Sequence, residues 1–383
     1  MKHNLYYLLF SAMVAGMIFL SSCSKQDHLT QPVTSDPATA AKVEKDGYVY
    51  TESNTMEGNT IISYHQHSDG TLEEDTTVET GGTGTGLGLG SQGAVMLNDD
   101  HTRLFAVNAG SNTISSFELD ADGIPSLKDV QSSGGITPIS LTIYGNWLYA
   151  VNSGSSDIMG FMVESNGSLT PLSGSNRSLS TSSAGPAQIS FKPNGTQLVV
   201  TEKATNSITV FDVNTDGIAQ KGQSFRSRGT TPFGFEFDRS KNFVVSNASG
   251  GEPGKSSVTS YSSTGGSKAV DGPVHNGQTA ACWLTIAKRG YAYLYVTNTG
   301  SNTISSYTLD DNGNLALAQG VAATTGVEPI DVVFSGGDQS YLYNINSTSQ
   351  TISEFSRNAD GTLTPISEVV GLPPHAAGLA AFK

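Results

Sequence analysis

Leu294-Tyr295-Val296-Thr297-Asn298-Thr299-Gly300-Ser301-Asn302-Thr303-Ile304-Ser305-Ser306-Tyr307 decides the fold. An apolar, β-branched run ends in a polar residue and a Thr/Gly/Ser/Asn turn follows. A second run then places a β-branched residue three positions before an aromatic, so the stretch reads strand, polar turn, strand. Shortly afterwards Asn312-Gly313 gives a hairpin signal, since such pairs tolerate positive φ. The β-branched/aromatic pair recurs at Ile61/Tyr64, Ile114/Phe117, Ile158/Phe161, Ile208/Phe211, Val258/Tyr261, Ile304/Tyr307 and Ile352/Phe355. Hairpin signals follow at Asp69-Gly70, Asp122-Gly123, Asn166-Gly167, Asp216-Gly217, Gly265-Gly266 and Asp360-Gly361. Each unit of about 48 residues therefore holds four antiparallel strands, and no helical period interrupts them. The predicted fold is all-β, a seven-bladed β-propeller with four antiparallel strands per blade. The first unit begins near Tyr48, directly in its second strand. The apolar, small-residue segment Ala376–Phe382 is expected to supply the missing innermost strand and close the ring.

Composition agrees and removes whole classes of function. Of 383 residues, 43 are glycine and 14% are charged, which fits a globular chain and excludes collagen and general disorder. Twenty basic side chains against 34 acidic give a net charge of −14, so binding to a phosphate backbone lacks its main driving term and no nucleic-acid partner is expected.

The first residues read as an address. Met1-Lys2-His3 precede an apolar stretch from Leu5 to Leu20, the form of an export signal. It ends in Leu20-Ser21-Ser22-Cys23, which resembles the lipobox of bacterial lipoproteins, where the cysteine is acylated. The expected organisation is a lipoprotein signal peptide over 1–22, a lipidated Cys23 with a flexible tether over 23–46, and the propeller over 47–383. Several acyl chains on one cysteine suffice for stable membrane attachment. The expected address is thus the cell envelope of a bacterium, on the outer membrane at its periplasmic or surface face. The only other thiol is Cys282, so no disulfide within the chain is expected, and a monomer is anticipated.

Two segments carry a closer resemblance: Gly185-Pro186-Ala187-Gln188-Ile189-Ser190-Phe191-Lys192-Pro193-Asn194-Gly195 and Tyr295–Ile304 within the opening stretch. They resemble the seven-bladed lactonase family of 6-phosphogluconolactonases and carboxymuconate cyclases, and the second also resembles the Tyr-Val-Thr-Asn repeats of surface-layer propellers. The resemblance implies metal-independent lactone opening, without a cofactor, at one mouth of the central channel. It also implies an Arg-His pair after the inner-strand Gly-Pro and a glutamate at the end of the next strand. Here the pair is Ala187-Gln188, the glutamate position falls on Lys203, and a carboxylate stands one residue earlier at Glu202. The preceding blade, where the family often supplies a histidine, has Ile139 and Ser140. A ligand-binding or interaction scaffold is therefore the expected function, taking a sugar or lactone, an envelope glycan or a protein. The alternative is a lactone hydrolase with a diverged site.

In successive blades the equivalent of the position two residues after the inner-strand proline gives Ser140, Gln188, Gly234, Trp283 and Asp331, expected to ring one channel mouth as a polar ligand site. For catalysis the candidates are Gln188, Glu202 and Asp331, with Arg228 as a further ligand group. A Cys282/His275 nucleophile can be drawn, but lone cysteines are commonly buried hydrophobes. His65 and His67 share a strand face and would hold zinc only with help from other blades, so no metal is expected. The acidic segments Glu118–Gly123 and Asp212–Gly217 resemble the start of a calcium loop, yet the hairpin reading covers them. The glycine-rich run Gly81–Gly90 has no following helix to bind phosphate and is expected to be a mobile connection between blades.

Overall fold

The computed structural model describes residues 47–262, 268–289 and 293–382. The expected signal peptide, lipidated Cys23 and tether, the expected Gly265-Gly266 turn, and Lys383 lie outside them. Seven antiparallel sheets form where the sequence repeats, six of them ordered from an innermost strand outward in chain order. The innermost strands are Val95–Leu97 in blade 2, Pro138–Tyr144 in blade 3, Pro186–Phe191 in blade 4, Pro232–Phe237 in blade 5, Ala281–Ile286 in blade 6 and Pro329–Phe334 in blade 7. Together with Ala377–Phe382, the innermost strand of blade 1, they touch one another in cyclic succession around a central channel. Blade 3 carries one extra short strand, Arg177–Ser178, beside its third strand. One 3-10 turn, Ser249–Gly251, is the only helical element among the described residues.

Blade 1 closes the ring. Its strands Gly47–Glu52, Thr60–Gln66 and Leu72–Glu79 come from the start of the propeller, and Ala377–Phe382 from its end. The register pairs Tyr48 with Phe382, Val49 with Ala381, Tyr50 with Ala380 and Glu52 with Ala377. The Thr51 hydroxyl donates to the Ala377 carbonyl at 3.1 Å. The expected closing strand is thus present, starting one residue later than its sequence pattern suggested.

The repeated pairs of the sequence are the reason the blades stack. On a strand, residues three apart point to opposite faces, so each pair presents one side chain to each neighbouring blade. Ile114 packs with Leu141 and Leu148 of blade 3, whereas Phe117 packs with Tyr48 and Tyr50 of blade 1. All seven pairs are buried, and each aromatic contributes about 2–3 kcal/mol of burial. Tyrosines of the second strands, and the first in blade 1, then fasten neighbouring blades at their hairpins. Tyr149 donates to the Gly217 carbonyl at 2.8 Å, Tyr50 to Gly123 at 2.6 Å and Tyr343 to Gly70 at 2.9 Å. The hairpin glycine is needed twice over at Gly217: its φ is +78°, and a Cβ there would lie 2.5 Å from the Trp147 ring.

The two acidic segments are hairpins, as read. Asp120 Oδ1 accepts the backbone N–H groups of Asp122 and Ile124, and Asn214 Oδ1 those of Asp216 and Ile218. These acceptors complete Asx turns.

Candidate functional site

The channel is lined by innermost strands that are irregular at one place. In blades 3 to 7 the pairing with the second strand shifts within the first three or four residues. Such a bulge re-aims the next side chains. Ser140, Gln188, Gly234, Trp283 and Asp331 all occupy this level, and the four with side chains are buried. Their polar atoms are directed into neighbouring blades. Ser140 Oγ accepts the Ile189 N–H of blade 4 at 3.2 Å. Gln188 makes two bonds to Phe235 of blade 5, donating to its carbonyl at 3.0 Å and accepting its N–H at 2.7 Å. Asp331 Oδ2 accepts the Gly378 N–H of the closing strand at 3.0 Å.

Gln92, which the sequence reading missed, reproduces the Gln188 bridge over a longer span. From the start of blade 2 it donates to the Leu284 carbonyl at 2.8 Å and accepts the Leu284 N–H at 3.2 Å, both in blade 6. Its amide runs over Gly234, where a Cβ would sit 2.1 Å from Gln92 Oε1. The glycine at that ring position therefore leaves room for a side chain crossing the channel. Gln92 lies ahead of the short innermost strand Val95–Leu97, so counting positions along the inner strands passed over it.

The glycine-rich run is not a free connection. Asn54 accepts the Thr85 N–H at 2.9 Å and donates to the Leu87 carbonyl at 2.7 Å, and Gly84 N–H reaches the Thr55 carbonyl at 2.7 Å. Beyond it, Trp283 Nε1 donates to the Ser91 carbonyl at 2.7 Å, and the Lys203 ammonium donates to the Gly90 carbonyl. The segment Gly88–Gln92 thus lies across the mouth at which the innermost strands begin, the upper mouth. Lys203 also stands over the Phe233 ring at 4.9 Å. Burial lowers its pKa to about 8, partly opposed by Cys282.

Glu202 belongs to a different pattern. The last residue of each second strand, or of the first chain strand in blade 1, is Glu52, Asn108, Asn152, Glu202, Asn247, Asn298 or Asn346, each fully buried. Asn298 donates to Thr303 and Ser305, and Asn346 to Thr351 and Ser353, clamping the polar turn to the third strand. Glu202 is the blade 4 copy. Its carboxylate accepts from Thr205 and Thr209 of its own blade and from the Ser180 N–H and hydroxyl of the preceding linker. That bonding accounts for both its oxygens. Arg228 is exposed, its N–H donates to the Tyr261 hydroxyl at 2.7 Å, and it lines neither channel cavity. Cys282 is buried in the innermost strand of blade 6, while His275 is exposed on the outermost strand of blade 5. Burial pushes the thiol up to about 12, so the drawn nucleophile does not assemble.

Two cavities share Asp331. The upper one, about 230 Å³, is lined by Gly90, Ser91, Trp283, Glu328 and His375 as well as Asp331. The lower one, about 510 Å³, is lined by Gln188, Glu236, Asp238 and Lys288 with Phe191 and Phe237. Burial pushes the Asp331 carboxyl up to about 7, with the Gly378 N–H pulling the other way.

The chain matches the family model described as "Lactonase, 7-bladed beta-propeller" over residues 41–181, 173–262 and 276–377. It belongs to the seven-bladed propeller lactonase family. Solved structures agree on the fold. A candidate 6-phosphogluconolactonase from Bacteroides fragilis shares 18% identity at a TM-score of 0.70, covering 91% of this chain and 100% of its own. Another from Bacteroides uniformis shares 17% at 0.67, covering 88% and 98%. A functionally unknown protein from Desulfotomaculum acetoxidans shares 14% at 0.65, with the same coverages. No curated protein is detectably similar in sequence. At these identities the structural likeness speaks for the fold alone. Within this lactonase-family propeller, the residues at the resembling Arg-His positions are Ala187, fully buried, and Gln188, bonded to Phe235. The chain's own cation at that mouth is Lys203, held against Gly90.

Proposed function

We propose that this lactonase-family propeller is a ligand-binding scaffold held at the bacterial cell envelope through an acylated Cys23, and that it does not turn lactones over. One observation carries this reading: the polar ring side chains are committed to backbone groups of other blades or of the segment over the upper mouth. Lactone opening needs a positioned base and a donor for the developing oxyanion, and groups already paired in this way are not free to serve. The lower cavity suits a small polar ligand of sugar size. Glu236 and Asp238 offer the carboxylate lone pairs left beyond their bonds to Ile286 and Asn242, Lys288 offers a donor, and Phe191 and Phe237 supply apolar walls.

A second reading, hydrolysis at a diverged site, is favoured by Asp331 and His375 lining one cavity, since a carboxyl titrating near 7 is suited to acid–base work. One experiment separates the two. The full chain in detergent is offered 6-phosphogluconolactone together with sugar and aromatic lactones, and proton release is followed against the spontaneous rate. The scaffold reading expects no excess rate and saturable binding of a sugar or lactone by calorimetry. Turnover abolished in both Asp331→Asn and His375→Ala would establish the hydrolase instead. Envelope attachment is tested separately: Cys23→Ser should abolish incorporation of a labelled fatty acid and release the protein from membranes.

A further inference from the structure

Outside the channel, the hairpin of blade 1 brings together three metal-ligand side chains. His65 lies near the end of strand Thr60–Gln66 and His67 directly follows it, and register places Glu73 opposite His65. The turn between them is firmly closed. His67 N–H donates to the Thr71 carbonyl at 2.8 Å and Gly70 N–H to the His67 carbonyl at 3.0 Å, while Asp69 Oδ1 accepts both the Thr71 N–H and hydroxyl. The imidazole rings lie 4.7 Å apart, and His67 Nε2 is 3.3 Å from Glu73 Oε2. The potential ligand atoms of all three lie within 4.8 Å of one another. The third ligand comes from the adjacent strand of the same blade, so no other blade is required.

We propose that His65, His67 and Glu73 form a binding site for Zn²⁺ or another borderline divalent transition cation. Tetrahedral zinc with bonds of about 2.0–2.2 Å keeps neighbouring ligand atoms about 3.3–3.6 Å apart. The His67–Glu73 separation already meets that spacing, and side-chain rotation brings in the second imidazole. Two imidazoles with one carboxylate select zinc, copper or nickel over magnesium and calcium, which take oxygen ligands. His65 is buried beside the Tyr48 ring at 6.2 Å, whereas His67 and Glu73 reach solvent, so the site has a fixed base and an open approach. The cation would tie the second strand of blade 1 to its outermost strand, in the blade that closes the ring. Three protein ligands leave a fourth position for water.

The test uses the full chain, stripped with chelator and titrated with zinc chloride by calorimetry, with magnesium and calcium chloride in parallel. One zinc per chain is expected, with no response to magnesium or calcium, and a zinc-dependent rise in melting temperature. Since losing even a supporting partner of a metal ligand costs on the order of 10- to 100-fold in affinity, His67→Gln and Glu73→Gln should each weaken zinc binding at least tenfold and remove the thermal shift. Both positions reach solvent, so the variants should melt like the parent in chelator. His275→Gln, on a distant blade, should bind as the parent does. Absence of stoichiometric binding, or binding unchanged in both ligand variants, would overturn the proposal and leave the His67–Glu73 contact as an ordinary ion pair.

Discussion

Replacing Asp331 with asparagine should make stability less sensitive to pH. The carboxyl is 3% exposed, and burial raises its pKa from 3.8 to about 7 in the folded protein. A group whose folded pKa is raised favours the folded state most below its unfolded pKa, and that contribution is lost as pH rises through the folded value. Between about pH 4 and 7 the unfolded chain therefore ionises Asp331 while the folded chain resists. A shift of roughly three units at 1.36 kcal/mol each costs the parent on the order of 4 kcal/mol by pH 8. Asparagine keeps an oxygen for the Gly378 N–H, now 3.0 Å from Asp331 Oδ2, and carries no charge. Near pH 4 the two proteins should melt together. At pH 8 the variant should melt higher by about 6 °C, taking about 2.1 cal/mol/K of unfolding entropy per propeller residue. Scanning calorimetry across pH 4–8 measures the difference directly. A gap that stays constant with pH, or a variant that melts lower at pH 8, would refute the assignment of a buried, destabilised carboxylate at the junction of the two cavities.

Other positions give sharper yes-or-no outcomes. Gly378 has φ +72°, and a Cβ there would lie 2.6 Å from the Val95 backbone nitrogen; Gly378→Ala should lower the melting temperature by several degrees, and an unchanged melt would show that the closing strand is dispensable. Lys203→Met removes the bond to Gly90 while keeping the bulk over Phe233, so amide exchange over 88–92 should accelerate with little change elsewhere. Mass spectrometry after iodoacetamide treatment should find the Cys282 peptide unmodified in the native protein and modified in urea, because its buried thiol stays protonated at neutral pH.

The blade architecture was legible because it is written in periodic side chains: a third-strand pair such as Ile304/Tyr307 can only be satisfied by neighbours on both faces. The closing strand could be read from what blade 1 lacked. The level of the ring residues was also legible, through the inner-strand prolines of four blades and the matching position in blade 6. Their employment was not, because a side chain that bonds to backbone leaves no mark on its partner: nothing in Phe235 or Leu284 as residues announces a glutamine pressed against them. The glycine-rich run misled for a related reason. Glycine density signals freedom in an isolated chain, whereas here it admits close approach, as at Gly84, where a Cβ would fall 2.1 Å from the Asn54 carbonyl carbon. Glu202 carried an overlooked clue, since its alignment with Asn108, Asn152, Asn298 and Asn346 already marked it as one member of a repeated clamp.

The strand that completes blade 1 has a consequence for how the molecule is made. Thr51 meets Ala377 across 326 positions of chain, so the first sheet to leave the ribosome is among the last to be finished. Until Ala377–Phe382 has been made, strand Gly47–Glu52 presents an unpaired ladder edge, and the circle of blades stays open. A chain cut short by a handful of residues loses that edge's partner, not a dangling tail. Closure of the circle therefore waits on a single strand, and a chain without Ala377–Phe382 would carry an open edge available for pairing with another chain.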